Sequence, residues 1–110
     1  MAKGAKKAME YKLIITIIKK GWAERILNAA RKAGSRGGTI LHGRGAAGIH
    51  EQKKLLGIPI EPEKEIVLTL IQQEKVEEVL AAITEAGQLN KPGTGISFVL
   101  DVEKVLGILG

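Results

Sequence analysis

The sequence predicts a single α+β domain in which strand, helix, strand, strand, helix and strand follow one another. Three observations lead to this fold class. Runs rich in isoleucine, leucine and valine alternate with two segments of helical apolar period. A glycine follows each helical segment, where helix C-termini favour it. The chain has 110 residues, of which 45% are hydrophobic, and this is enough for one core.

The first three elements lie in the first half of the chain. Tyr11 to Ile18 is rich in isoleucine and carries the β-branched Thr16 in its middle, which predicts a strand. Trp22 to Ala33 places apolar residues at helical spacing and is followed by Gly34, which predicts a helix. Thr39 to His42 is a short second strand.

The remaining elements lie in the second half. Ile66 to Ile71 is continuously apolar, which favours a strand at the centre of a sheet. Glu74 to Ala86 is the clearest amphipathic helix, and Ile96 to Val102 is the fourth strand. Val105 to Leu109 is a candidate for a short fifth strand.

This order is that of the ferredoxin-like βαββαβ fold, an antiparallel sheet with both helices on one face. The connection from Ala46 to Glu65 is far longer than a hairpin loop of about two to five residues. Either it is a surface excursion paired in part as a ribbon, or it is a mobile recognition loop, and the second interpretation is favoured because long loops commonly carry function. Residues 1–10 are predicted to be a disordered basic segment before the single domain, residues 11–110.

Composition excludes several classes of protein. The net charge of +5 is dispersed and aromatic residues make up only 3%, so we expect no binding to nucleic acid. There are no cysteines, which excludes disulfides and cysteine-based zinc sites. Because no long apolar run and no signal-peptide pattern are present, we expect a cytoplasmic protein that is not inserted in a membrane.

No arrangement of side chains indicates catalysis. We find no nucleophile next to a base, so we expect no enzymatic activity. His42 and His50 are the only imidazoles and lack metal-ligand spacing, so no metal site is predicted within one chain. Trp22 is interpreted as a packing anchor, with a position over a ligand cleft as the alternative.

Two glycine-rich loops form the candidate binding site. The segment 43–48, Gly-Arg-Gly-Ala-Ala-Gly, follows the second strand, and the segment 91–95, Lys-Pro-Gly-Thr-Gly, precedes the last. Glycine lets backbone N–H groups approach an anion closely, which indicates a phosphate-bearing ligand. Arg44 and Lys91 are able to reach such a ligand, and a solvated loop side chain is the alternative for each.

These segments resemble the PII signalling proteins, the nitrogen-regulatory family, from about Tyr11 to Ile108. Residues 39–45, Thr-Ile-Leu-His-Gly-Arg-Gly, are similar to the strand and Gly-x-Gly that open the family's long T-loop. Residues 91–98, Lys-Pro-Gly-Thr-Gly-Ile-Ser-Phe, are similar to its B-loop and the next strand. Residues 100–105 are similar to the segment that follows.

The resemblance implies a homotrimer that needs no cofactor and binds an adenine nucleotide (ADP, ATP or AMP) as effector between subunits. It implies a T-loop at 46–65 that contacts a membrane transporter or regulatory protein. Gly37, Gly38 and Leu70 would lie near the adenine. The complete set of expected nucleotide-binding residues is Gly37, Gly38, Thr39, Gly43, Arg44, Gly45, Leu70, Lys91, Gly93, Thr94 and Gly95.

The chain departs from the family at several binding positions. Ile96 stands where the family carries a phosphate-binding lysine, Gly107 and Leu109 where it carries arginines, and Ala47 where it carries a glutamine. Each lost charge-assisted bond removes roughly 1.5–3 kcal/mol, so ATP together with 2-oxoglutarate is disfavoured. A CutA-like trimer that responds to metal or binds no ligand is therefore kept as the alternative.

Overall fold

A computed structural model of the chain describes residues 10–45, 53–55, 58–60 and 63–107, and of residues 53–55 and 58–60 it describes the backbone alone. The element order confirms the predicted βαββαβ fold. The elements are β1 Tyr11–Lys19, α1 Ala23–Lys32, β2 Thr39–Arg44, β3 Lys53–Leu55, β4 Ile58–Ile60, β5 Glu63–Gln72, a 3₁₀ turn Gln73–Lys75, α2 Val76–Gly87 and β6 Gly95–Val102.

Four of the strands form one antiparallel sheet in the order β2-β5-β1-β6. β1 lies between β5 and β6, so that Ile14 is opposite both Thr69 and Val99. β5 is also an inner strand, which agrees with the apolar residues between Ile66 and Ile71, where only the β-branched Thr69 is polar. The two edge strands are β2 and β6, and these are the strands that adjoin the two glycine-rich loops.

Both helices pack on one face of the sheet and enclose the core. A Cβ on Gly87 would lie 3.0 Å from Ile26 Cδ1, and a Cβ on Gly34 would lie 3.2 Å from Lys75 Cδ. The end of α2 therefore lies against the start of α1 and the end of α1 against the start of α2, so the helices are antiparallel. The buried apolar side chains are Ile14, Ile18, Ala23, Ile26, Leu27, Ala30, Val67, Ile71, Val76, Val79 and Ile83.

The opposite face of the sheet is apolar too, and no described element covers it. Side chains alternate between the faces of a strand, so the residues between the buried positions point to this second side. Phe98 and Ile96 are 39% and 55% exposed there. We call this surface the open sheet face, and its apolar members are Leu13, Ile15, Ile17, Leu41, Ile66, Leu68, Leu70, Ile96, Phe98 and Leu100.

The connection between β2 and β5 contains a short antiparallel ribbon. Lys53–Leu55 of β3 pairs with Ile58–Ile60 of β4. This bears out the ribbon interpretation for those residues, and the use of the segment in recognition stays a prediction. The predicted disordered segment lies outside the described residues, apart from Glu10.

Several predicted boundaries differ from the structure. Residues 63–65 were expected in the long connection but belong to β5, because they pair with the end of β2 from His42 to Arg44. For the same reason Gly43 and Arg44, which were expected in the glycine-rich loop, are the last two residues of β2, so the prediction of a loop from 43 is wrong for these two. A 3₁₀ turn precedes α2, which begins at Val76 instead of Glu74. Residues 105–107 form no strand, so the candidate fifth strand is wrong for this described part of 105–109.

Candidate functional site

The loop before β6 is held by its own hydrogen bonds. The Thr94 hydroxyl donates to the backbone oxygens of Gln88 at 2.7 Å and Lys91 at 3.1 Å. Gly93 has a φ of +79°, a conformation that glycine adopts without steric cost, and a Cβ there would meet only open space. The loop therefore presents a fixed and accessible backbone, which suits the predicted contact with an anion.

Two of the predicted site glycines have a packing role. A Cβ on Gly95 would lie 2.6 Å from the backbone oxygen of Ile17, and a Cβ on Gly38 would lie 2.6 Å from that of Leu68. Both distances are far below van der Waals contact. Close strand packing alone thus requires glycine at these two positions, whether or not a ligand binds there.

Within one chain the predicted site residues lie in three separate places. Residues 37–39 precede or open β2 and, with Leu70, lie toward one end of the sheet. Residues 43–45 lie at the other end of β2, and residues 91–95 lie at that same end beside β6. Leu70 is six residues along β5 from Lys64, or about 20 Å at about 3.3 Å per residue.

The two glycine-rich loops share one end of the sheet but lie on opposite edges. His42, Glu65, Ile18 and Gly95 form one row across the four strands. Three strand spacings of about 4.8 Å therefore separate His42 from Gly95, roughly 14 Å in all. The predicted residues therefore do not form a single cluster within one chain.

Two lysines that the sequence did not single out stand between the loops. Lys64 is opposite Gly43 on one side and opposite Lys19 on the other, and Thr94 continues this row past the last β1–β6 pair. Both lysines point to the side of the open sheet face. A Cβ on Gly45 would lie 3.1 Å from Lys64 Cε, so this side chain packs against the loop after β2.

Lys19 and Lys64 carry like charges and are directly opposite each other on β1 and β5. Like charges directly opposite on neighbouring strands destabilise a sheet. No carboxylate of the described residues lies within ion-pair distance of either ammonium group. Such a pair is suited to holding an anion. Lys19 and Lys64 become neighbours only through the pairing of β1 with β5, which the sequence alone does not specify.

Trp22 lies beside Lys19 at this end of the sheet. Its ring packs against the core, as the packing interpretation predicted. Lys19 Nζ lies 4.0 Å and Arg25 Cζ 4.3 Å from the ring centroid. Cations over an indole are attracted by its negative face, so Trp22 helps to hold Lys19 at the sheet end.

Glu65 joins β5 to the start of α1. Its Oε1 accepts hydrogen bonds from the backbone N–H groups of Gly21 at 3.0 Å and Ala23 at 2.9 Å. Trp22, at the N-cap position, supplies no side-chain cap, so Glu65 replaces it from another element. Its Oε2 lies 3.9 Å from His42 Nδ1, next to the glycine-rich loop after β2.

Glu65→Ala is expected to lower the free energy of unfolding by about 2 kcal/mol, because it leaves two backbone donors at the start of α1 without their acceptor. Urea denaturation of the purified protein measures this. Glu63→Ala is the matched control, since Glu63 pairs with Lys20 at an exposed site where water screens the pair. Equal losses for the two variants would contradict the capping role.

The exposed ion pair beside this cap has a defined pH dependence. Lys20 Nζ lies 2.8 Å from Glu63 Oε1. The hydrogen bond and charge of Lys20 lower the pKa of the Glu63 carboxyl, and the same bond raises the pKa of Lys20. The contribution of Glu63 is therefore present above its unfolded pKa and is lost as the pH falls through its folded pKa.

The remaining predicted residues are placed as follows. Arg44 ends β2 opposite Glu63, and Lys91 is exposed. Ile96 lies on the open sheet face and supplies no charge to the site. Ala47, His50 and Leu109 lie outside the described residues. In the described ranges, no three His, Asp or Glu side chains are grouped to hold a metal ion.

The family model for nitrogen regulatory protein P-II matches residues 11–109. No curated protein matches the chain. None of the described helices is long and apolar enough to cross a membrane.

Proposed function

The chain belongs to the nitrogen regulatory protein P-II family, and on that premise we propose that it is a cytoplasmic, trimeric, non-enzymatic signalling protein. It binds a small anionic effector, foremost an adenine nucleotide, in clefts between subunits. Effector binding biases the conformation of the segment between β2 and β5, and so changes its docking to a membrane transporter or regulatory protein.

The open sheet face supports the trimer. Its ten apolar residues form one continuous surface across all four strands. Apolar patches of this extent usually mark an interface, because water contact with them is unfavourable. A closed ring in which each chain turns this face inward removes it from water and leaves the helices outside.

The row formed by Gly43, Lys64, Lys19 and Thr94, which we call the lysine row, is the observation on which the effector proposal depends. Lys19 and Lys64 put two positive charges between the glycine-rich loops, next to Gly43 and Thr94. They supply charge that the chain lacks at Ile96 and Gly107. An anion between them relieves their repulsion and accepts charge-assisted hydrogen bonds.

The separation of the predicted residues supports a site between chains. Along the sheet, Leu70 lies about 20 Å from Lys64, and Thr39, which is opposite Leu68, lies about 13 Å from Lys64. In a ring, the apolar group near Leu70 of one chain adjoins the lysine row of the next. The adenine then contacts one subunit and the phosphates contact its neighbour.

Thermal denaturation with ATP, ADP, AMP, 2-oxoglutarate or inorganic phosphate tests the effector proposal. An anion that binds only the folded protein stabilises it by about 2.7 kcal/mol at 100 times its dissociation constant. We expect Lys19→Gln and Lys64→Gln each to abolish this shift. Without ligand, Lys64→Gln is expected to raise stability by about 0.2–1 kcal/mol, because it removes a like charge opposite Lys19 on the neighbouring strand. Lys19→Gln also loses the contact of its ammonium group with the Trp22 ring, so no gain is expected for it.

Lys104→Gln is the matched control, because Lys104 is an exposed lysine beyond the end of β6. It removes the same charge and is expected to keep the full ligand-induced shift. A shift that survives in both the Lys19 and Lys64 variants would refute the assignment of the effector to the lysine row. The absence of any shift with these anions would refute the anionic effector itself.

A further inference from the structure

The exposed surfaces of the two helices carry opposite charges. On α1 the exposed cations are Arg25, Arg31 and Lys32, which we call the basic stripe, and Glu24 in the first turn is the one acidic residue of this helix and is also exposed. On α2 the exposed anions are Glu77, Glu78 and Glu85, which we call the acidic stripe. The stripes lie side by side on the outer surface, since both helices cover the same face of the sheet.

The two stripes form no ion pairs with each other within the described part of one chain. Among the described residues, ion pairs join Lys12 to Asp101 and Lys20 to Glu63, His42 Nδ1 lies 3.9 Å from Glu65 Oε2, and none of these residues belongs to either stripe. Arg25 does lie against the Trp22 ring, at 4.3 Å from its centroid. The helix layer therefore presents a positive and a negative band to its surroundings.

Helix dipoles explain only part of this pattern. Acidic residues favour the first turn of a helix and basic residues the last, which accounts for Glu77 and Glu78 and for Arg31 and Lys32. Glu85 lies in the last turn of α2, where the dipole disfavours an anion. Arg25 lies in the first turn of α1, where the dipole disfavours a cation.

Because the helices are antiparallel, the acidic and basic residues lie at the same positions along the direction of the helices, which we call the same level. The end of α2 lies beside the start of α1, because a Cβ on Gly87 would meet Ile26 Cδ1 at 3.0 Å. Glu85 is therefore level with Arg25. The start of α2 lies beside the end of α1, so Glu77 and Glu78 are level with Arg31 and Lys32.

We propose that the helix layer docks onto the helix layer of a second copy of this chain. The two copies are related by a two-fold axis that lies between their helix layers and runs parallel to the helices. This rotation places α1 of one copy over α2 of the other. Each residue keeps its position along the direction of the helices. Arg25 then faces Glu85 of the second copy, and Arg31 and Lys32 face its Glu77 and Glu78. The same contacts recur on the other side of the axis, as in any isologous interface.

This contact is separate from the trimer of the proposed function, because it uses the opposite side of the sheet. It joins one ring to another through their outer surfaces. Because it is made of exposed ion pairs, it is weak and strongly dependent on salt. The expected behaviour is reversible association of assembled rings at low ionic strength.

Sedimentation velocity with charge-reversed variants tests the proposal. At about 0.01 M salt, where the Debye length is about 30 Å, we expect the full-length protein to sediment faster than at about 1 M salt, where it is about 3 Å. Arg31→Glu with Lys32→Glu, and separately Glu77→Lys with Glu78→Lys, are each expected to abolish the faster species. An equal mixture of the two double variants is expected to restore it.

Circular dichroism of each variant establishes that it is folded. If a charge reversal prevents folding, the neutral double variants Arg31→Gln with Lys32→Gln and Glu77→Gln with Glu78→Gln replace the reversed ones. The neutral pairs should also abolish the faster species, and mixing them should restore it only in part, because only one of the two symmetry-related sets of ion pairs forms again. A sedimentation rate independent of salt would overturn the proposal. So would faster sedimentation that both reversals leave intact, or a mixture that fails to associate.

Discussion

Phe98→Glu is expected to convert the assembled protein into single chains of 11.8 kDa. Phe98 is 39% exposed on the open sheet face of a single chain, so a carboxylate there can remain in water. Between two packed sheets the same carboxylate would be buried without a partner, at a cost of several kcal/mol for each chain. The assembly therefore loses this contact while each chain keeps its helix-covered core.

Size-exclusion chromatography with light scattering measures the change, at high salt so that charge-driven association is suppressed. Three chains of 11.8 kDa are expected for the unaltered protein and one for the variant. Gln73→Glu is the control, because Gln73 is exposed and lies in the turn before α2, away from the open sheet face. A Phe98→Glu protein that keeps the mass of three chains would show that this face is not the interface.

Gly95→Ala is expected to lower the free energy of unfolding by about 3 kcal/mol, near the upper end of overpacking effects. The added Cβ would lie 2.6 Å from the Ile17 backbone oxygen and 2.7 Å from Ile18 Cδ1. A backbone oxygen in the central strand cannot move aside as the end of a side chain can. The loss is therefore expected with or without ligand.

Gly93→Ala provides the comparison for this prediction. It is expected to cost only about 1 kcal/mol, from the φ of +79°, because nothing lies within 4 Å of the added Cβ. Urea denaturation of both variants gives the two free energies. A loss for Gly95→Ala no larger than that for Gly93→Ala would contradict the packing role of Gly95.

The fold could be predicted because apolar period and glycine position act locally. The isoleucine-rich run from Tyr11 and the amphipathic segment from Glu74 each specify an element without reference to the rest of the chain. The boundary of β5 could not be predicted in the same way. Glu63, Lys64 and Glu65 are polar, and they join the strand because β2 pairs with all three and β1 pairs with Lys64 and Glu65.

The glycine-rich segments of the candidate site could be predicted from the sequence, but the two lysines between them could not. The glycine-rich segments are visible in sequence, because glycine permits conformations that other residues avoid. Lys19 and Lys64 are far apart in the chain and become neighbours only through strand register. The capping of α1 by Glu65 is likewise a contact between distant segments, which local sequence patterns do not reveal.

The placement of the two glycine-rich loops on opposite edges of the sheet has a consequence for measurements on dilute protein. If no single chain holds the whole pocket, effector affinity falls when the protein is diluted below the concentration at which the ring dissociates. By linkage, a saturating effector must strengthen the ring by the same free energy with which the ring strengthens effector binding. Ligand titrations at very low protein concentration would then report subunit association together with intrinsic affinity.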